Sequence, residues 1–113
     1  MTRNRLSTRY YSQKQESNVA KLVDGKQTPN SGATPFIKGD VTTKDFIIEC
    51  KTTMTNKDSY SVKKEVLNKL KSEAFATNRS YYALAFNFGP DSKENFYVIP
   101  ENVFEEFIHF LSE

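Results

Sequence analysis

Three segments of the chain place apolar residues three or four positions apart, which is the spacing of an amphipathic helix. The first runs from residue 12 to residue 24 and stops at Gly25. The second runs from 61 to 77, with Ser61 as its predicted N-cap. The third follows Pro100, since proline is favoured at the start of a helix. Its apolar stripe consists of Val103, Phe104, Phe107, Ile108 and Leu111.

Four further runs are short and rich in β-branched and aromatic residues, as strands are. Two lie within residues 38–51 on either side of a turn at 43–45, which predicts a hairpin, and the others cover 81–88 and 95–99. We therefore expect an α/β fold in which a mixed central sheet of about four strands is flanked by about three helices. The middle helix crosses between the hairpin and the third strand, so the two strands that it joins can be parallel.

The chain has 113 residues, the size of one domain. We expect residues 1–11 to form a flexible basic arm, residues 12–113 a single domain, and the polar segment 27–35 an exposed loop. The single cysteine, Cys50, cannot form an internal disulfide, which favours a reducing compartment. No apolar run approaches the ~20 residues needed to cross a bilayer, so we expect a soluble, cytoplasmic protein without a membrane partner.

The net charge of +2 is unevenly distributed along the chain. Residues 1–26 carry six basic and two acidic groups, and residues 57–79 carry six basic and three acidic groups, whereas residues 91–113 carry one basic and six acidic groups. A basic surface attracts a polyanion such as a nucleic acid. Ordinary solvated surface charge accounts equally well for this feature taken alone.

Charged residues of the predicted hairpin suggest a metal site. If the turn is centred between residues 44 and 45, Asp40 lies directly opposite Glu49, and the Cβ atoms of such a pair are about 5 Å apart. Two carboxylates that close repel unless a cation lies between them, and Mg²⁺ prefers oxygen ligands. Alternation along the strand places Lys51 on the face of Glu49 and turns Cys50 toward the core. An exposed hairpin with surface ion pairs explains the same spacing at least as well.

Two residues on the predicted helices break the pattern of their own elements. Glu16 falls within the apolar arc of the first helix, and Lys63 falls within that of the second. Such departures concentrate at functional sites, so Glu16 is a candidate metal or water ligand and Lys63 a candidate phosphate contact. The alternatives are a glutamate stabilised by the helix dipole and a lysine that reaches out to solvent. A bulge in the hairpin would move Asp40 to the opposite face.

Several short runs lie between about Ser12 and Pro100. They are Gln15-Glu16, Val19-Ala20, Asn30-Ser31-Gly32-Ala33, Lys38-Gly39-Asp40-Val41, Ile48-Glu49-Cys50-Lys51-Thr52-Thr53, Ser61-Val62-Lys63-Lys64-Glu65 and Tyr82-Ala83-Leu84-Ala85-Phe86. Together these runs resemble small phage and prophage Holliday junction resolvase-like proteins of the PD-(D/E)XK nuclease superfamily. Glycine, not proline, precedes Asp40, as is common among resolvases, and the gap between Asp40 and Glu49 is short compared with the archaeal enzymes.

The resemblance implies a restriction-endonuclease-like core and a Mg²⁺- or Mn²⁺-dependent endodeoxyribonuclease that hydrolyses branched DNA such as four-way junctions. It implies Asp40, Glu49 and the backbone carbonyl of Cys50 as metal ligands, with Lys51 as the catalytic lysine and Glu16 as the helix-one glutamate of resolvases. The two symmetric strands of a junction favour a homodimer, and a phage-encoded protein would act in the cytoplasm of its bacterial host. The expected DNA contacts are Arg3, Arg5, Arg9, Ser31, Lys38, Lys63 and Lys64.

Two other functions are compatible with the same residues. One is a PD-(D/E)XK nuclease with another DNA substrate, such as a restriction-type nuclease or a flap or recombination nuclease. The other is a non-catalytic DNA-binding protein that uses the basic arm and the second helix. The sequence contains no phosphate-binding loop, dinucleotide fingerprint, nucleophile elbow or zinc motif.

Overall fold

The computed structural model describes residues 8–28 and 39–113, which form three helices and five strands. The chain therefore has the predicted α/β fold. The helices are α1 (Thr8–Val23), α2 (Lys64–Ala76) and α3 (Glu101–Leu111). The strands are β1 (Lys26–Gln27), β2 (Val41–Thr42), β3 (Phe46–Lys51), β4 (Tyr81–Phe86) and β5 (Phe96–Val98).

The strands of the described residues form one mixed sheet in the order β1-β2-β3-β4-β5. β3 and β4 are parallel because α2 carries the chain across between them, and the other neighbouring pairs are antiparallel. The predicted parallel crossover is confirmed. The predicted number of strands is too low, because Lys26 and Gln27 pair with β2 as a short edge strand. Gln27 thus lies in a strand and not in the predicted loop, and residues 29–38 of that region lie outside the described part of the chain.

Alternation along β3 divides the core into two layers. Ile48 and Cys50 point toward α1, whereas Ile47 points toward α2. Burial of an isoleucine side chain stabilises the fold by about 1.5–3 kcal/mol. The same alternation places the two charged residues at the end of β3, Glu49 and Lys51, on the α2 side. The predicted core orientation of Cys50 is confirmed.

α1 begins earlier than predicted. Its first residue is Thr8, so residues 8–11 are helical and do not belong to a flexible arm. Extending an existing helix is favourable because each added residue forms a further backbone hydrogen bond. The Thr8 hydroxyl also contacts the Met54 sulfur at 2.8 Å, which ties this first turn to the loop after β3. The remainder of the predicted arm, residues 1–7, lies outside the described residues.

α2 begins later than predicted, and Ser61 is not its N-cap. The helix starts at Lys64, and Lys63 occupies the N-cap position in an extended conformation with no side-chain capping bond. The reason lies just upstream, where the Tyr60 ring stacks on Phe86 of β4 with 4.5 Å between the ring centroids. This contact holds the chain against the sheet, so it continues extended as far as Lys63 before it turns into the helix.

α3 follows Pro100 as predicted, but its apolar stripe is not part of the core. None of the eleven residues of α3 is buried. The helix is held to the sheet near its middle, where the Tyr81 hydroxyl donates a hydrogen bond to the Glu106 carboxylate at 2.6 Å. Among the described residues, no helix combines the length and the apolar character needed to span a membrane.

Candidate metal centre

The pairing of β2 with β3 sets the geometry of the candidate site. Val41 pairs with Ile48 and Thr42 pairs with Ile47, which is the register predicted for a turn centred between residues 44 and 45. The Thr43 hydroxyl fixes this turn by accepting a hydrogen bond from the Phe46 amide at 2.9 Å. The paired residues end at Val41, and the predicted pair of Asp40 with Glu49 is not among them.

Asp40 itself departs from the regular ladder. Its amide donates to the carbonyl of Ile48 at 2.8 Å, the residue with which Val41 is already paired. Its carboxylate accepts a hydrogen bond from the Cys50 amide at 2.7 Å. Since the amide and carbonyl of a strand residue point to the same side, the Cys50 carbonyl also faces this edge. The predicted ligands Asp40 and the Cys50 carbonyl therefore lie at one edge of β3.

The preceding glycine makes this arrangement possible. Gly39 has φ of 77°, a conformation that L side chains rarely adopt. A Cβ atom at this position would lie only 2.5 Å from the Ile47 side chain. Glycine therefore allows the chain to pass closely over β3 and to direct Asp40 toward Cys50.

Glu49 and Lys51 form an ion pair, with 3.3 Å between the Lys51 Nζ and a Glu49 carboxylate oxygen. Both side chains are partly accessible, at 21% for Glu49 and 44% for Lys51. Each can therefore contact a ligand from solvent. The pair also agrees with the alternative of a hairpin with surface ion pairs, but Asp40 takes part in no ion pair of the described residues.

Glu16 adds a third carboxylate from α1. Its pKa is raised from 4.5 to about 7, chiefly by burial and then by the negative charges of Asp40 and Glu49, while a hydrogen bond from Gln27 opposes the rise. Burial likewise raises the pKa of Asp40, and the charge of Glu49 raises it further. Lys51 partly offsets this repulsion. The charges of Asp40 and Glu49 thus reach the Glu16 carboxylate, and the charge of Glu49 reaches that of Asp40.

Gln15 was not singled out from the sequence, yet it holds the end of β3 in place. It is only 4% exposed, and its side-chain amide donates to the Lys51 carbonyl and to the Asn95 side-chain oxygen, both at 2.9 Å. Its position four residues before Val19, on the apolar side of α1, was the available signal. The buried polar residue of this helix is therefore Gln15, and Glu16 is only half-buried.

Tyr60 and Lys69 also lie near the carboxylates. Burial raises the pKa of the Tyr60 hydroxyl, and the charges of Lys51 and Glu49 act on it in opposite directions, so this ring is close to the ion pair. Lys69 of α2 lowers the pKa of Asp40. Neither residue carries a distinctive sequence signal, because both depend on how α2 packs across the sheet.

The predicted DNA contacts are only partly within the described chain. Lys63 and Lys64 are exposed at the N-terminus of α2, which the crossover connection brings to the same end of the sheet as Lys51. Arg9 is exposed on the first turn of α1. Arg3, Arg5, Ser31 and Lys38 lie outside the described residues.

The donor set fits a hard cation that retains several waters. Among the described residues, no group of three or more His, Cys, Asp or Glu side chains is arranged to enclose a metal ion. The oxygen atoms at hand are those of Asp40, Glu49 and the Cys50 carbonyl, and Mg²⁺ is commonly held by one or two carboxylates plus waters. The Cys50 thiol is not a ligand, because it is buried on the opposite face of the strand and burial raises its pKa.

Comparison of the chain with protein-family models, with curated proteins and with solved structures found no match.

Proposed function

We propose that this protein is a metal-dependent DNA endonuclease of the PD-(D/E)XK type, with branched DNA such as a Holliday junction as its substrate. In this proposal the sheet forms a restriction-endonuclease-like core, and residues 12–113 form a single nuclease domain. The observation that supports it best is the hydrogen bond between the Asp40 carboxylate and the Cys50 amide. It holds one acid against the strand that carries both Glu49 and Lys51.

Each residue of the site has a distinct role in the proposed reaction. Asp40, Glu49 and the Cys50 carbonyl would hold Mg²⁺ or Mn²⁺, which when bound lowers the pKa of a water and polarises a phosphoryl oxygen. Lys51 would donate to a phosphate oxygen and offset the negative charge that develops there. Glu16, with a pKa near 7, would accept the proton of the attacking water at neutral pH.

The DNA strand would approach from the N-terminus of α2. Lys63 and Lys64 are exposed there, and a helix N-terminus also favours phosphate through its free amides and its dipole. Arg9 would extend the contact on α1, together with Arg3, Arg5, Ser31 and Lys38 from the undescribed segments. A homodimer would offer two centres to the two strands cut in a four-way junction.

Cleavage of a labelled synthetic four-way junction in Mg²⁺ tests the proposal. Asp40→Asn and Lys51→Ala should each reduce the cleavage rate by at least about 100-fold, because each removes charge stabilisation of several kcal/mol. Asp45→Asn and Lys44→Ala are matched controls, since both residues are exposed at the turn of the same hairpin. Cleavage that survives in both site variants, with circular dichroism showing an intact fold in all four, would contradict the nuclease assignment.

The same assay separates the alternative substrates. Linear, nicked, flapped and branched DNAs of equal length should be compared at one salt concentration. Preference for the four-way junction supports the resolvase assignment, and preference for linear or flapped DNA supports a restriction-type or flap nuclease.

A non-catalytic DNA-binding protein is the second candidate function. It is favoured by the Glu49–Lys51 ion pair, in which each charge is already neutralised by the other. This function predicts binding that weakens steeply with salt, needs no divalent ion and yields no cleaved products.

A further inference from the structure

α3 presents a continuous apolar stripe to solvent. Phe104 is 55% exposed, Phe107 53%, Ile108 44% and Leu111 60%. These four residues lie within about 100° of one another on the helix circumference. Scattered apolar residues are ordinary at a protein surface, but a contiguous stripe of this kind marks an interaction site.

The spacing of the stripe is symmetric about its own centre. Its intervals are three, one and three residues, so the pattern is identical in either direction along the helix. Two copies of α3 that cross antiparallel about a two-fold axis would oppose Phe104 to Leu111 and Phe107 to Ile108. A two-fold interface requires this kind of self-complementary patch.

The charge of α3 excludes polyanions as the occupant. Glu101, Glu105 and Glu106 lie on this helix, and Glu113 follows it. Such a helix repels nucleic acid, and helices that lie on anionic membranes are basic on their polar face. None of the four glutamates interrupts the stripe, so all of them can remain solvated when the apolar side chains are covered.

The area available agrees with a small dimer interface. Large apolar side chains expose on the order of 180 Å² each when free, so four at about half exposure offer roughly 350–400 Å² per copy. Both copies together, with the flanking residues of the helix, reach the ~1,000 Å² at which specific association begins.

We propose that two copies of this chain associate through α3, with the stripe of Phe104, Phe107, Ile108 and Leu111 from each copy packed against that of the other. The contact is antiparallel and two-fold symmetric. It does not depend on the nuclease chemistry proposed above, because no residue of the candidate metal centre belongs to it.

Sedimentation equilibrium of the full chain measures this association directly. The wild type should have twice the 13.0 kDa mass of one chain in the micromolar range. The double variant Phe104→Ser with Leu111→Ser should be monomeric, with its circular dichroism retained, because these side chains are exposed and hold no part of the core. Leu22→Ser is the matched control, since Leu22 is 72% exposed on α1, and it should remain dimeric.

Cysteine cross-linking identifies the contact. Ile108→Cys lies next to the two-fold axis and should form an intermolecular disulfide on mild oxidation, whereas Leu22→Cys should not. A wild type that is monomeric at 100 µM overturns the proposal, as does a dimer unaffected by the double variant. If the Ile108→Cys protein is monomeric, the reactivity of the introduced thiol shows what covers the stripe. A thiol that resists labelling would show that another segment of the same chain packs on the stripe. A thiol that labels freely would show that the stripe is open to a partner other than a second copy. Either result would overturn the proposal.

Discussion

Neutralising Glu16 should stabilise the metal-free protein, although Glu16 is proposed to take part in catalysis. In the folded state its pKa is about 7, against 4.5 for an unperturbed glutamate. Burial is the main cause, and the charge of Asp40 is the second. The ionised form is therefore disfavoured by the fold, and Glu16→Gln removes this penalty while keeping an oxygen that can accept the hydrogen bond from Gln27.

The sign of the pH dependence follows from the direction of the shift. Well below pH 4.5 Glu16 is protonated in both the folded and the unfolded states, so its ionisation contributes nothing to stability. Between pH 4.5 and about 7 the unfolded chain loses this proton and the folded protein keeps it, so the free energy of unfolding falls as pH rises. Above about pH 7 the full penalty is present and stays constant.

The magnitude is set by the shift and by solvent screening. A shift of this size corresponds to an upper limit of about 3 kcal/mol, because each pKa unit is worth about 1.4 kcal/mol. Glu16 is only half-buried, so screening by water reduces the expected effect to about 1–2 kcal/mol. For a domain of this size that is an increase in Tm of roughly 4–8 °C.

Thermal unfolding followed by circular dichroism in EDTA, at pH 4.5 and at pH 8, measures this effect. Glu16→Gln should raise Tm at pH 8 and change it much less at pH 4.5. Glu94→Gln, in an exposed loop, should change Tm little at either pH. Saturating Mn²⁺ at pH 8 should stabilise the wild type, since a cation offsets the repulsion among the carboxylates. A Glu16→Gln protein that is less stable than the wild type at pH 8 would refute the reasoning.

Two further variants test the parts of the fold that position the site. Gln15→Leu should reduce the cleavage rate by about tenfold and lower the free energy of unfolding by about 1–3 kcal/mol, because the Lys51 carbonyl loses its buried donor. Unfolding by denaturant measures the second effect, and a midpoint equal to that of the wild type would contradict it. Gly39→Ala should cost about 2–4 kcal/mol, since its positive φ and the 2.5 Å approach to Ile47 both oppose a Cβ atom. A thermal scan measures this change, and an unaltered Tm would show that the hairpin can shift to accommodate the methyl group.

Local periodicity predicted the hairpin, and the assumed turn centre between residues 44 and 45 gave the register that β2 and β3 have. Alternation in β3 requires Ile48 and Cys50 to face one side, and the short turn before Phe46 leaves one pairing that buries Val41 opposite Ile48. The same reasoning predicted Asp40 directly opposite Glu49, a pair that the ladder does not contain. It did not predict that Asp40 leaves the ladder and bonds to the Cys50 amide, because that bond depends on the conformation of Gly39.

Features that depend on contacts distant in sequence were not predicted. A two-residue strand such as β1 has no periodicity of its own, and it forms only because β2 offers a free edge. The start of α2 is set by Tyr60 stacking on Phe86, a contact that appears only once β4 is in place. The exposure of the α3 stripe was also not predicted, since the spacing of its apolar residues is the same whether the helix packs on its own sheet or faces solvent.

The hydrogen bonds of Gln15 have a consequence for the order in which the protein can mature. This residue is synthesised before all three of its acceptors, which lie 36, 70 and 80 residues further along the chain at Lys51, Ala85 and Asn95. A nascent chain on the ribosome can therefore form α1 early, yet the Gln15 side chain can make all of its hydrogen bonds at the end of β3 only after Asn95 has emerged. A translation product that stops before Asn95 would therefore lack one of the hydrogen bonds that fix the Gln15 side chain beside the Lys51 carbonyl.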